Sequence, residues 1–334
     1  MPIPNYKTPL HVTVLRGPLV DRVAQEFGNG FGQVYTVRRG AVGGSPFFDV
    51  HHFVGPIGAG QEVISRIQTP MNTEGHIYTD SNGVELRQRT VRTDTLEFEA
   101  SNYYATQMVC YIKDARHQLT MLSSQSHGVA SLLEGQMEYM LHRRTLVDDR
   151  RGLDRPLNDT TAIVVGLRFV VSDPTTSVRA RRMANYDLQY ELNGTVFYDP
   201  QYSARGTFTG LVGSMPPNVH LVSLKVRDGE SNKIILRLHH LYGVGEDASY
   251  SLPVTIDIGR MFHGKYRVTS VEEMTLGMNQ NMDEMRSYRW KWIPETSLDG
   301  EAVSAVSPSG KVGGTVTTIS PMDIKAFYVT LAAA

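Results

Sequence analysis

The chain has one cysteine, Cys110, among its 334 residues, so no disulfide can form within it. No stretch approaches the run of ~20 apolar residues needed to span a bilayer as a helix. Charge of one sign is also missing. The 33 Lys and Arg nearly cancel the 34 Asp and Glu, leaving no global field to gather nucleic acid or an anionic membrane. Neither is expected as a partner. The opening residues, Met1-Pro-Ile-Pro-Asn-Tyr-Lys7, contain no apolar h-region, so no secretory signal is expected in this form of the chain.

Catalytic signatures are equally scarce. The chain has no Gly-x-Ser-x-Gly elbow, no Cys pair and no two histidines four residues apart. Gly28-Asn-Gly-Phe-Gly32 lacks the strand-to-helix context and the Gly-Lys-Ser/Thr of a phosphate loop, and reads as a turn. His51-His52 and His239-His240 are neighbours on predicted strands, so each pair splits between two faces and holds no metal. Cys110 sits in an alternating run and reads as a small core hydrophobe.

What is present is an ordinary globular composition, 41% hydrophobic and 20% charged, in a chain long enough for two domains. The dominant period is two. In Met137-Glu-Tyr-Met-Leu-His142 an extended backbone points Met137, Tyr139 and Leu141 one way and Glu138, Met140 and His142 the other. Similar short runs begin at Gln33, Pro46, Val109, Ala162, Ile234, Val254, Tyr266 and Phe327. Turn signals separate them, among them Asn29-Gly30, Asn82-Gly83 and Asp228-Gly229. The expected fold is mainly β: a large antiparallel β-sandwich at residues 1–205, a smaller one at 206–334, and one short helix. The Gly- and Pro-rich segment 199–217 supplies the boundary, and residues 296–318 read as an exposed loop.

The helix is expected at residues 177–192, a stretch without Gly or Pro. There Ala180, Met183, Ala184 and Leu188 share a face at helical spacing. Arg179, Arg181 and Arg182 would then lie largely on the solvated side.

The densest charge lies in Met140-Leu-His-Arg-Arg-Thr-Leu-Val-Asp-Asp-Arg-Arg-Gly152, which reads as a strand and its turn. A glycosidase needs two carboxylates flanking one scissile bond. Asp148 and Asp149 are adjacent on an extended strand and point to opposite faces. They are expected to anchor a turn or to pair with Arg143, Arg144 or Arg151. Two N-glycosylation triplets occur, at Asn158-Asp-Thr160 and Asn193-Gly-Thr195.

A series of short motifs runs through the chain: Leu15-Arg-Gly-Pro-Leu-Val20, Tyr78-Thr-Asp-Ser-Asn-Gly83, Asn102-Tyr103-Tyr104, Gln118-Leu-Thr-Met-Leu122, the Arg-Arg and Asp-Asp segment, Met215-Pro-Pro-Asn-Val-His220 and Pro321-Met-Asp-Ile324. In that order they resemble the C-terminal β region of the class II α-mannosidases, glycoside hydrolase family 38, in their lysosomal form. The resemblance implies a retaining exo-α-mannosidase as parent, in a lysosomal or other secretory compartment. It also implies that zinc, nucleophile and acid/base carboxylate sit in an N-terminal α/β domain, with none of them in this chain. The partners it implies are that domain and mannose-containing glycans.

Within the resemblance Arg89 is the counterpart of an arginine that reaches substrate hydroxyls, with Tyr103 beside it as a second substrate contact. Asp80 and Asn82 belong to the signature turn. A fork of fixed donors suits sugar hydroxyls. A structural ion pair of Arg89 with Asp80 or Glu85 stands as the alternative. Ala105 and His239 depart from the family's usual proline and glutamate. Two further functions stay open on the residues. One is a free-standing carbohydrate-binding module, using Tyr103, Tyr104, Trp290 and Trp292. The other is a scaffold for assembly of processed chains, including a homo-oligomer.

Overall fold

β-Branched and aromatic residues in alternation with polar ones, cut by turns that need positive φ, fold this chain into hairpins before anything else. The β2–β3 turn is one such place: Gly28, Asn29 and Gly30 have φ of 85°, 53° and 80°, a run that glycine and asparagine alone adopt without strain. The computed structural model describes residues 9–39, 47–83, 85–147, 155–190, 210–262, 264–287 and 314–333. The chain divides into two compact units, Met1–Thr195 and Val196–Ala334. The boundary expected between residues 205 and 206 lies outside the described residues.

In the first unit the strands are β1 (His11–Arg16), β2 (Val20–Gly28), β3 (Phe31–Arg38), β4 (Phe47–Val54), β5 (Gln61–Gln68), β6 (His76–Asp80) and β7 (Leu86–Thr90). A one-turn helix α1 (Phe98–Ser101) precedes β8 (Tyr104–Thr106), β9 (Val109–Lys113), β10 (Gln118–Ser123), β11 (His127–Ala130), β12 (Gln136–Arg144) and β13 (Ile163–Ser172). The helix α2 (Ser177–Gln189) follows.

A nine-stranded antiparallel sheet runs β1-β2-β3-β4-β13-β10-β9-β6-β7, and a four-stranded one runs β5-β12-β11-β8. Their facing sides close over Val50, Ile77, Cys110, Ile112, Met121, Met137, Tyr139, Leu167 and Phe169, all 2% exposed or less. Met137 and Tyr139 enter that core and Leu141 packs against it, as period two requires, although a bulge at Leu141 interrupts the pairing with β5.

Helix α2 lies on the outer face of the large sheet. Ala184 is buried there with Ala180 and Leu188 packed beside it, over Val109, Leu122 and Val170. Two expectations for this helix fail. Met183 is 53% exposed, so it does not share the buried face. Arg181 and Arg182 are only 3% and 7% exposed rather than solvated. The sheet beneath offers polar groups there, and Arg182 Nη1 donates to the Gly83 carbonyl at 2.8 Å.

Beneath the same helix Arg168, 1% exposed, forks onto Asp49 at 2.6 and 3.2 Å and reaches Asp187 at 2.7 Å. Its guanidinium also lies 4.2 Å from the Phe47 ring centroid. A buried cation needs that number of partners to offset its desolvation.

The second unit has β14 (Val219–Arg227), β15 (Glu230–His240), β16 (Val254–Asp257), a 3-10 turn, β17 (Tyr266–Met274), α3 (Met282–Ser287), β18 (Val316–Ile319) and β19 (Ile324–Ala333). A four-stranded sheet β14-β15-β19-β17 faces a two-stranded one, β16-β18. Leu236, Leu238, Ile258, Ile319, Phe327 and Val329 fill the space between them, each fully buried. The architecture is a large antiparallel sandwich followed by a smaller one. Among the described residues it has three α-helices where one was expected, the two extra ones being four and six residues long. Periodicity does not register elements that short.

Candidate functional site

The signature turn is built around one carboxylate. Asp80, 3% exposed at the end of β6, accepts from Gly83 N at 2.6 Å, Thr106 Oγ1 at 2.7 Å and Gln107 N at 2.8 Å. Met108 N and Val109 N also approach it at 3.2 Å. Short side-chain acceptors of this kind replace the backbone partners that a turn lacks. Asn82 Oδ1 adds a bond from Glu85 N at 3.0 Å, closing the turn on its other side. The β6–β7 hairpin is therefore fastened to the β8–β9 connection.

That fastening sets the position of Arg89. It pairs across the hairpin with Ile77, so its side chain leaves β7 on the core side at the rim of the sandwich. Arg89 Nε donates to Thr79 Oγ1 at 3.2 Å, and the guanidinium lies 5.1 Å from the Tyr104 ring centroid. A flat cation on an aromatic face loses little of its freedom to donate in plane. The ion pairs considered for it do not form: Asp80 is taken by backbone donors, and Glu85 pairs with Arg87 at 3.1 Å. Among the described residues no carboxylate pairs with Arg89.

Tyr103 turns the opposite way. Its hydroxyl donates to Glu138 Oε1 on the outer face of the small sheet, and its ring passes over Gly128, where a Cβ would stand 3.4 Å from it. Burial, and then the bond to Glu138, push the Tyr103 phenol well above its ordinary pKa, so it stays a donor. Glu138 is 3% exposed and also takes Arg66 Nε at 2.6 Å. Tyr104 packs against the core instead. The two tyrosines thus occupy opposite sides of one strand and do not make the flat aromatic row that a sugar-stacking module presents. Trp290 and Trp292 lie outside the described residues.

The loop between β7 and Tyr103 is held by Asn102. Its amide imitates a peptide, accepting from Arg92 N at 2.7 Å while donating to Arg92 O at 2.9 Å and Phe98 O at 2.8 Å. From the sequence alone Glu138, Arg66, Asn102 and Arg182 have no role at this rim, although alternation places Glu138 on an outward face and helical spacing places Arg182 in solvent. For Glu138 a signal existed, a carboxylate on the outward register of an otherwise apolar strand.

The charged end of β12 is separate from this rim. Arg143 pairs with Glu62 at 3.1 Å, and Arg144 donates to Ile57 O at 3.0 Å and to Asn158 Oδ1 at 2.8 Å. Asp148, Asp149, Arg151 and Asn193 lie outside the described residues. Among the described residues no three of His, Cys, Asp and Glu converge as a metal-binding group. His51 is exposed while His52 is 4% exposed beside Tyr139, so that pair does split between faces.

The family follows from both units together. Residues 2–151 match the profile described as the glycosyl hydrolases family 38 C-terminal domain, and residues 218–327 match that of the family's C-terminal beta sandwich domain. This chain belongs to the C-terminal region of glycosyl hydrolases family 38. It is 33% identical to the lysosomal alpha-mannosidase of Mus musculus over 96% of its own length and 34% identical to that of Homo sapiens over 98%. It covers 32% and 34% of those proteins, so the chain spans about a third of the curated relatives it matches. The crystal structure of an alpha-mannosidase from Enterococcus faecalis has the same fold. It gives a TM-score of 0.60 at 10% identity, with 95% of this chain and 34% of that one covered.

Proposed function

We propose that this chain is the C-terminal, β-built part of a retaining, zinc-dependent α-mannosidase that removes terminal mannose from glycans. The observation that carries the reading is the match of both units to α-mannosidases of which this chain makes up only a third. The zinc ligands, the nucleophile and the acid/base carboxylate then belong to an N-terminal α/β domain. This chain packs against that domain and lines its cleft. Arg89 is the residue it lends to the substrate: a guanidinium on the sandwich rim, fixed by Thr79 and Tyr104, with donors left for sugar hydroxyls. Tyr103, turned to the other face onto Glu138, serves by holding the loop rather than by touching the sugar, and Asp80 and Asn82 serve by setting the hairpin.

The relatives' lysosomal designation supports a lysosomal or other secretory compartment for the parent. An exposed Asn158 with only its Oδ1 engaged is consistent with glycosylation at its Nδ2. Asn193 is the second site proposed for a glycan.

The test is turnover of an aryl α-mannoside. The isolated chain is expected to give none with zinc added, and co-expression with the preceding part of its parent restores it. In that assembled protein Arg89→Ala lowers kcat/KM by about two orders of magnitude, the size of losing one oriented donor to the reacting sugar. Turnover by the isolated chain would overturn the reading.

A further inference from the structure

The two sheets of the first unit are unequal, nine strands against four, and the shortfall falls on one side. Strands β1, β2 and β3 continue past the edge of the small sheet, and the edge strand facing them is β5. Among the described residues β5 pairs only with β12. Thr69 N bonds Gly135 O next to that ladder. In an antiparallel pair bonded and non-bonded residues alternate, so the peptide groups of Ile64, Arg66 and Gln68 point away from β12, along an open edge.

Beneath the edge runs a groove of about 880 Å³. Its floor is the core-side face of the overhang, including Gln25 and Phe27 of β2 and Phe31, Gln33 and Tyr35 of β3. Farther out on the same face Val12 and Val14 pair with Gln25 and Val23 and remain 47% and 55% exposed. Gln33 and Gln25 bond side chain to side chain at 2.5 Å, so the floor is mixed, part polar and part aromatic. On β5 the core-side residues Val63, Ser65 and Ile67 are only partly covered, and Ile64 on the other side is 37% exposed.

An open row of backbone donors and acceptors above a shelf that carries Tyr35 and the exposed Val12 and Val14 fits an extended peptide that bonds to the edge and turns alternate side chains onto the shelf. We propose that the β5 edge receives such a strand from the part of the parent protein outside this chain, completing the small sheet over β2 and β3. Two thirds of the relatives' length lies outside the matched region, chain enough to supply such a strand covalently. The occupant is about as long as β5, eight residues. The proposal rests on the reading of this chain as one part of a larger mannosidase, and it names where and how the rest is held.

Amide hydrogen exchange tests it, on this chain alone and on this chain co-expressed with the preceding part of its parent. In the free chain the amides of Ile64, Arg66 and Gln68 are expected to exchange within seconds to minutes. In the assembled protein they slow at least a hundredfold, together with a strand of the added part. Ile64→Pro removes one edge donor. It should leave the free chain's melting temperature nearly unchanged and weaken assembly at least tenfold.

A complex that turns over aryl α-mannoside while these amides still exchange freely overturns the strand proposal and spares the functional reading. Protection with no turnover does the reverse, and no complex overturns both. Protection already present in the free chain also defeats the proposal. It would assign the edge to residues 1–8 if it vanished on their removal, or to a second copy if it tracked a dimer on gel filtration.

Discussion

At the scale of single residues, one carboxylate that meets no cation among the described residues ties two connections together. Asp80 gathers backbone amides from two connections that are otherwise independent, 26 to 29 residues apart in sequence for the β8–β9 side. Removing it leaves several buried N–H groups without acceptors, each costing a share of its desolvation. Asp80→Ala should therefore lower stability by about 3–4 kcal/mol. Asp80→Asn, which keeps one acceptor oxygen, should cost less. Urea denaturation of the isolated chain measures both, and equal losses would show that the turn does not depend on acceptor count. This residue was visible in the sequence as part of a signature, but its work was not. Which amides converge on Asp80 depends on β8 and β9 arriving beside β6.

Among the elements, the facing of Met137 and Tyr139 on β12 was read correctly from alternation alone, because the face a side chain takes is a local rule, whereas burial is not: Gln136 to Tyr139 are all buried. Helix α2 was read correctly at its start, ends at Gln189 where 192 was expected, and was read wrongly in orientation. Its arginines were assigned to water since charge normally lies there, yet the sheet below supplies partners such as the Gly83 carbonyl. No helical period contains that information.

The buried histidines make a prediction at the same scale. His52 on β4 sits 3.3 Å from the Tyr139 hydroxyl, and burial, with His127 and His51 nearby, lowers its pKa to about 4. His127 on β11 is also lowered, again by burial first, while bonded to Ser123 Oγ at 3.0 Å. Both are neutral when folded and take up protons on unfolding near pH 6.5. The sign follows: their burial is without penalty above about pH 6.5, and stability falls as the pH drops from there towards 4. For His52 the loss approaches about 3 kcal/mol at pH 4. Urea midpoints between pH 7.5 and 4.5 should decline, and His52→Gln should flatten the decline. An unchanged slope in that variant would remove His52 as its cause.

At the scale of the molecule, each unit has its own core. Among the described residues the second is filled from 211–331 alone. A chain beginning at Gly206 should therefore fold alone, with β-rich circular dichroism and a single cooperative urea transition. A non-cooperative transition would argue that the smaller sandwich depends on the larger.

The sequence by itself determined nine of the strands, the hairpin turns, the two-sandwich order and the family, while β18 begins inside a stretch read as loop. All of these rest on neighbours a few residues apart or on motifs in a fixed order. Only the tertiary structure decided that Tyr103 and Tyr104 serve opposite faces, that Arg89 lies on an aromatic ring at the sandwich rim, and that among the described residues β5 pairs on one side alone. Each of those depends on which strands meet after folding. Strand order sets that, and alternation along one strand carries no record of its partner.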